Sequence, residues 1–322
     1  MSKGCVKMKK SAKVLLGTAC AFTGVGVAMN IGVLSRVSKK ISDKMKEIEE
    51  KKNPTDPNAP VALLEAEGNA WLDTQEYEHI VIKNRKNEPL HSYVVKAKEP
   101  SDKWLICVHG YTSEPKRMGS YALHYHDKGY NILLPALRGH NISEQNHITM
   151  GWLDRLDIVD WIKYILNIYG DVQIVLHGVS MGAATVMMTT GEDLPENVKC
   201  CVADCGYSSV WDEFKNEIKQ TYHTPPLPVL IPSTIVSKVF HGFGFKEASC
   251  VNQLKKSKTP TLFIHGEEDL FVPYRMLDLN YNAAACEKEK LSIPDAEHAN
   301  SHLVHPELYW SNTFRFIDKY VK

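Results

Sequence analysis

Residues 176–183 read LHGVSMGA: an apolar run delivers Ser180 into a turn between Gly178 and Gly182, and small residues follow. A serine hydroxyl is too weak an acid to attack a carbonyl unaided at neutral pH. It needs an imidazole to take its proton, and the imidazole needs a carboxylate to orient it. When the nucleophile sits on a strand-to-helix turn, the acid and then the histidine follow it in the chain, at the ends of later strands. The segment FIHGEEDLFVP offers Asp269, four residues past the apolar run Thr261–His265. SIPDAEHANS offers His298, just past the next run. Glu267 and Glu268 beside Asp269, Asp295 beside His298, and Asp204 at the end of another run are rival acids. His302 and His305 open the last helical stretch and read as surface residues. His124 and His126, two apart in a helical segment, face different ways and do not read as metal ligands.

The same chemistry needs two donors for the oxygen that gains charge. One is expected from the Met181 N–H, immediately after the nucleophile. The other is expected from the Tyr111 N–H in CVHGYTSEP, where Gly110 lets the backbone come close. Losing one such donor typically costs about 3 kcal/mol of transition-state stabilisation. The elbow glycines Gly178 and Gly182 remove side chains that would clash across so tight a turn.

These residues can meet only if the strands that carry them lie side by side. YEHIVIKN (77–84) and LHSYVVKA (90–97), joined by a polar connection, read as an antiparallel pair. Short apolar runs at 103–110, 130–140, 171–180, 198–206, 259–269 and 288–298 read as buried strands. Helical segments near 115–128, at 151–170, 274–288 and 306–321 alternate with them. Strands buried on both faces and separated by helices imply a parallel sheet, with ligands gathered at its carboxyl edge. One interval breaks the rhythm. Residues 207–258 are too long for a single crossover and hold HTPPLPVLIPSTIVSKVFHGFGF, which reads as a lid inserted over that edge.

The amino terminus reads as a separate device. Residues 1–13 carry five lysines and no acid, and residues 14–34 carry no charge. A run of that length spans a hydrocarbon core of about 30 Å as a helix. The reading adopted is an uncleaved single-pass membrane anchor with the catalytic domain outside; a signal sequence, with Ala19-Cys20-Ala21 at its cleavage site, is the alternative. Residues 35–60 then form an amphipathic stalk and a proline-rich linker, and the catalytic-looking domain spans 61–322.

With 38 basic and 38 acidic residues the chain has no formal net charge. That argues against nucleic acid as a partner, because phosphate binding needs a basic surplus or face. The eight cysteines form no CxxC pair, and several lie inside apolar runs. The CxxxC spacing of Cys201 and Cys205 reads as core packing rather than a metal or disulfide framework.

His-Gly-Tyr at 109–111, Leu-Arg-Gly-His at 137–140, Gly-Val-Ser-Met-Gly at 178–182, HGEEDLFVP and AEH occur in the order seen in α/β-hydrolases. In detail, residues 77–321 resemble the bacterial serine-aminopeptidase and lysophospholipase-like branch of that superfamily, including its membrane-anchored members. The resemblance implies an eight-stranded, mostly parallel sheet with a lid insertion. It implies Ser180, Asp269 and His298 as a catalytic triad, and Tyr111 and Met181 as the oxyanion hole. It also implies a small acyl substrate and neither metal nor organic cofactor. Related enzymes often continue Arg-Gly-His with a further glycine, where this chain has Asn141. Carboxylic ester hydrolysis is the expected reaction. Peptide or amide cleavage, acyl transfer and a non-catalytic binding role are the alternatives.

Overall fold

The computed structural model describes residue 66 and residues 68–322. The expected anchor and the 35–60 stalk and linker lie outside the described residues, and no helix among those described is long and apolar enough to cross a membrane.

Eight strands form one sheet: β1 (Tyr77–Lys83), β2 (Pro89–Val95), β3 (Lys103–Val108), β4 (Asn131–Pro135), β5 (Gln173–Val179), β6 (Val198–Asp204), β7 (Thr261–Gly266) and β8 (Lys288–Ile293). Their order is β1-β2-β4-β3-β5-β6-β7-β8. The expected hairpin pairs Tyr77 with Val95 and Lys83 with Pro89, and β2 runs antiparallel to β4. From β4 to β8 every pairing is parallel, so the strand ends that carry the candidate residues share one edge.

Helices cover both faces. On one lie α1 (Gly119–His126) and α9 (Pro306–Ile317), the latter following the short α8 (Ser301–Val304), packed on Leu105, Cys107 and Val175. On the other lie α2 (Asp154–Tyr169), α3 (Met181–Thr189) and α7 (Arg275–Ala283), packed on Ile106, Val108 and Leu176. Neighbouring strand residues thus feed opposite cores, as a two-residue side-chain period requires. Helix α2 starts three residues later than its apolar pattern suggests. The Asp154 carboxylate accepts from Thr149 Oγ1 (2.5 Å) and the Gly151 N–H (3.1 Å), folding 149–153 into a turn. Strand β8 ends at Ile293 because Pro294 has no N–H to pair and Asp295 turns the chain at φ +55°.

Between β6 and β7 the chain makes α4 (Val210–Tyr222), α5 (Leu227–His241) and α6 (Cys250–Leu254). The ends of this insertion are pinned together: Val210 N donates to Ala248 O (2.9 Å) and Val251 N to Ser208 O (3.2 Å). Ser209 and Ser249 cap α4 and α6, accepting from Asp212 N and Asn252 N. The insertion lies beside the carboxyl edge. His241 stacks on His147 of the β4 exit loop at 4.6 Å, and Asn216 donates to Phe271 O, two residues past Asp269.

Candidate active site

Ser180 follows β5 directly and precedes the first residue of α3. Its backbone has φ +58° and ψ −119°, a strained conformation for a residue with a side chain. Two anchors hold it there. Ser180 N donates to Asp204 O on the neighbouring strand (2.9 Å), and Ser180 O accepts from Ala184 N as α3 begins (3.0 Å). The flanking glycines are required by close approach. A Cβ on Gly178 would lie 2.2 Å from Gly182 O, and one on Gly182 would lie 2.0 Å from Val108 O. Either contact is far inside van der Waals distance, so the turn closes only around hydrogen.

The structure brings Ser180, His298 and Asp269 together. His298 Nε2 lies 2.8 Å from Ser180 Oγ, and His298 Nδ1 lies 2.7 Å from Asp269 Oδ2. In this arrangement the serine hydroxyl donates to Nε2 and the imidazole Nδ1–H donates to the carboxylate. Asp269 is fully engaged. Its Oδ1 accepts from the Phe271 and Val272 N–H groups at 3.0 and 2.9 Å. Its Oδ2 also meets His265 Nε2 at 3.2 Å. Burial alone would raise its pKa, but the facing imidazoles of His298 and His265 outweigh burial and hold it well below the usual carboxylate range. The loops bearing Asp269 and His298 are tied to each other, with Glu267 N on Ile293 O (3.0 Å) and Glu268 N on Ala296 O (2.9 Å). The Phe271 ring packs on the His298 imidazole at 4.9 Å.

The rival acids go elsewhere. Glu267, Glu268 and Asp295 are exposed. Asp204 is buried and accepts from Tyr309 Oη at 3.0 Å; burial raises its pKa to about 6. The sequence reading of His302 as a surface residue is corrected: it is 5 % exposed, with its ring 4.0 Å from that of Tyr121. Tyr121 of α1, remote in sequence, and Tyr309 and Trp310 of α9 close over it. His305 is half-buried. His126 is buried with Nε2 on Lys96 O, whereas His124 lies on the Trp310 ring.

Met181 is the first residue of α3, so its N–H has no intrahelical acceptor. The β3 exit loop touches Ser180: a Cβ on Gly110 would sit 3.3 Å from Ser180 Cβ. Tyr111 follows in that loop, and Thr112 takes φ +57°. Asn141, directly after Arg-Gly-His, adopts φ +43°, a left-handed conformation that asparagine tolerates better than most residues.

One cluster has metal-ligand character among the described residues: donor atoms of Cys205, Asp269 and His298 lie within 4.8 Å of one another. Asp269 and His298 already bond each other, and burial pushes the Cys205 thiol well up, away from the thiolate a metal needs. A metal there would compete with the Ser–His–Asp chain. Sequence reasoning missed His265 as a second partner of Asp269. Its only signal was a histidine at the inner end of an apolar strand, four residues before the acid.

A family model described as the alpha/beta hydrolase fold matches residues 103–224. The uncharacterised protein YqkD of Bacillus subtilis is 24% identical over 250 residues, covering 77% of this chain and 81% of that protein. Among solved structures, the chain is similar to the Pyrococcus furiosus esterase Pf2001, with a TM-score of 0.61 and 23% identity over 77% of this chain and 94% of that one. It is also similar to the Pyrococcus horikoshii acylaminoacyl peptidase, with a TM-score of 0.57 and 17% identity over 75% of this chain and 41% of that one.

Proposed function

We propose, from the premise that this chain has the α/β-hydrolase fold, that it is a serine hydrolase acting on a carboxylic ester through an acyl-enzyme. The observation that carries the reading is the His298 imidazole, with Ser180 Oγ 2.8 Å from one nitrogen and Asp269 2.7 Å from the other. Ser180 Oγ attacks the acyl carbonyl as its proton passes to His298 Nε2. The carboxylate of Asp269 stabilises the imidazolium that forms. The N–H groups of Met181 and Tyr111 receive the oxyanion. The proton on His298 is then given to the leaving alcohol, and the acyl group remains on Ser180. Water, deprotonated by His298, releases the acid and restores the hydroxyl.

Two features favour an apolar acyl group. The insertion presents Leu227, Ile231, Ile235, Val239 and Phe240, all more than half exposed, on α5. Leu270, beside Asp269, is 78 % exposed. We read the insertion as a lid whose apolar helix borders the acyl site. The similarity to an acylaminoacyl peptidase keeps amide cleavage as the second reading. The charge-free run at 14–34 and its basic flank support a membrane tether for the domain.

A fluorophosphonate probe tests the nucleophile: wild type labels and Ser180→Ala does not. A folded wild type that resists the probe overturns the hydrolase reading. A series of p-nitrophenyl esters of rising chain length, run beside aminoacyl p-nitroanilides, tests the substrate class. Faster turnover of the anilides would replace the ester assignment with a peptidase one.

A further inference from the structure

Two buried histidines that take no part in the proposed proton transfers lie between the β3 exit loop and the β4 exit loop. His109, on the first loop, has Nε2 3.1 Å from the Leu137 backbone nitrogen on the second, and Nδ1 2.9 Å from its neighbour Gly110 O. His140, on the second loop, has Nε2 3.2 Å from the Thr112 backbone nitrogen on the first, and Nδ1 2.9 Å from Arg138 O. The backbone partners fix both tautomers. A carbonyl only accepts, so each Nδ1 carries a hydrogen; a peptide N–H only donates, so each Nε2 offers a lone pair.

The exchange is reciprocal: each loop lends an imidazole acceptor to the main chain of the other. The rings meet edge-on at 5.2 Å. Burial lowers the pKa of both, that of His109 to about 3, which keeps each Nε2 an acceptor. Tyr111 stands between the two bonded positions, after His109 and before Thr112, and its ring packs on His140 at 6.0 Å. The Thr112 N–H that His140 holds belongs to a residue at φ +57°, where a β-branched side chain is disfavoured. The bond therefore secures a peptide conformation that the sequence does not prefer, immediately after the proposed oxyanion donor.

We infer that His109 and His140 are positioning residues that aim the Tyr111 N–H at the substrate oxyanion by this reciprocal acceptor exchange. The inference rests on the reading of Tyr111 as an oxyanion donor. It makes the Nε2 acceptor, rather than the bulk of the ring, the feature that matters.

Amide side chains separate the two. A glutamine oxygen reaches roughly the Nε2 position, whereas an asparagine oxygen reaches only the Nδ1 position. With the full chain and p-nitrophenyl acetate, His140→Asn should lower kcat on the order of 10²-fold, the scale of a misplaced catalytic group, with KM within about threefold of wild type. His140→Gln should stay within about threefold in both constants, and the His109→Asn and His109→Gln pair should repeat the contrast from the other loop. Equal kcat for the Asn and Gln variants of both positions, or losses confined to KM or to Tm, would overturn the inference while leaving the serine hydrolase reading intact. A wild type that neither hydrolyses the ester nor takes up the fluorophosphonate would overturn both.

Discussion

Among the described residues, two chains of hydroxyl, imidazole and carboxylate are joined by one backbone hydrogen bond. In the first, Ser180, His298 and Asp269 lie at the rim of the sheet, and the imidazole keeps 16 % of its surface open. In the second, Tyr125 Oη meets His177 Nδ1 (2.8 Å), His177 Nε2 meets Tyr309 Oη (3.1 Å), and Tyr309 Oη donates to Asp204 (3.0 Å). This chain is sealed beneath the sheet edge: His177, Tyr125, Tyr309 and Asp204 have no exposed surface. The link between them is Ser180 N on Asp204 O.

The residue types are nearly the same and the chemistry differs. A base that must accept and return a proton needs a hydroxyl reachable by substrate and a carboxylate that stays charged. The rim chain has Ser180 on a strained turn and Asp269 held below its usual pKa. The sealed chain has the reverse electrostatics. Burial lowers His177 to about 3 and raises Asp204 to about 6, so both are biased toward their neutral forms. Its hydrogen bonds join β5, β6, α1 and α9 and steady the strand ends on which the rim chain stands.

The contrast can be broken most sharply at Ser180, the proposed nucleophile. Ser180→Ala should lower ester kcat by at least roughly 10⁴-fold, without change in Tm. Tyr309→Phe should leave kcat within about threefold. A large kcat loss in Tyr309→Phe would mean that the sealed chain takes part in proton transfer.

Asp269→Asn comes next. The amide cannot hold the Nδ1–H tautomer of His298, so kcat should fall by roughly 10³–10⁴-fold. The same change should also alter acid stability. Because Asp269 titrates below its ordinary value when folded, it stabilises the fold above that value, and the contribution disappears as pH falls toward the folded pKa. Wild type should therefore lose stability below about pH 4 more steeply than the variant, as urea melts at stepped pH would record.

Tyr309→Phe is expected to act on stability instead. It removes the hydroxyl that both His177 and Asp204 use, leaving buried polar groups unpaired, at a cost of about 1–3 kcal/mol in chemical denaturation.

His302→Phe should produce a change of similar or smaller size, and it depends on pH. Burial, with His177 and His124 nearby, lowers the His302 pKa to about 3. Between about pH 6.5 and 3 the unfolded chain binds a proton that the folded one refuses, so wild type weakens as pH falls. Phenylalanine removes that penalty. The variant should gain about 2 kcal/mol over wild type at pH 5 relative to pH 8. Parallel stability curves at the two values would show that folded His302 takes up its proton as readily as the unfolded chain does.

Much of this architecture was legible in the chain. The apolar runs at 103–110, 171–180 and 259–269 became strands buried throughout except at Lys103 and Gln173, the first residues of β3 and β5, because a run with no polar alternation fits only a sheet covered on both faces. Ser180 and Asp269 stood out because each follows such a run, and His298 because it follows the strand after them, which the structure shows to be the half-buried edge strand β8; the structure brings the three side chains within hydrogen-bond distance. His302 was misread because its neighbours in sequence, Ser301 and Leu303, do not reveal the aromatic rings of Tyr121, Tyr309 and Trp310 that enclose it. The second contact of His265 on Asp269 was equally hidden. It depends on how the loop after β7 folds back, a matter of Val272 and Phe271 N–H groups finding the same carboxylate.

The alternation of strands and helices along the chain, the elbow with its two glycines and the list of candidate acids and bases are written in the sequence, because they arise from local period, local sterics and residue chemistry. Which acid faces which imidazole, which histidine is neutral and which loop pins the other were decided only by the tertiary structure. Those outcomes depend on burial and on distances of about 3 Å between residues tens to more than a hundred positions apart, and no local pattern encodes them.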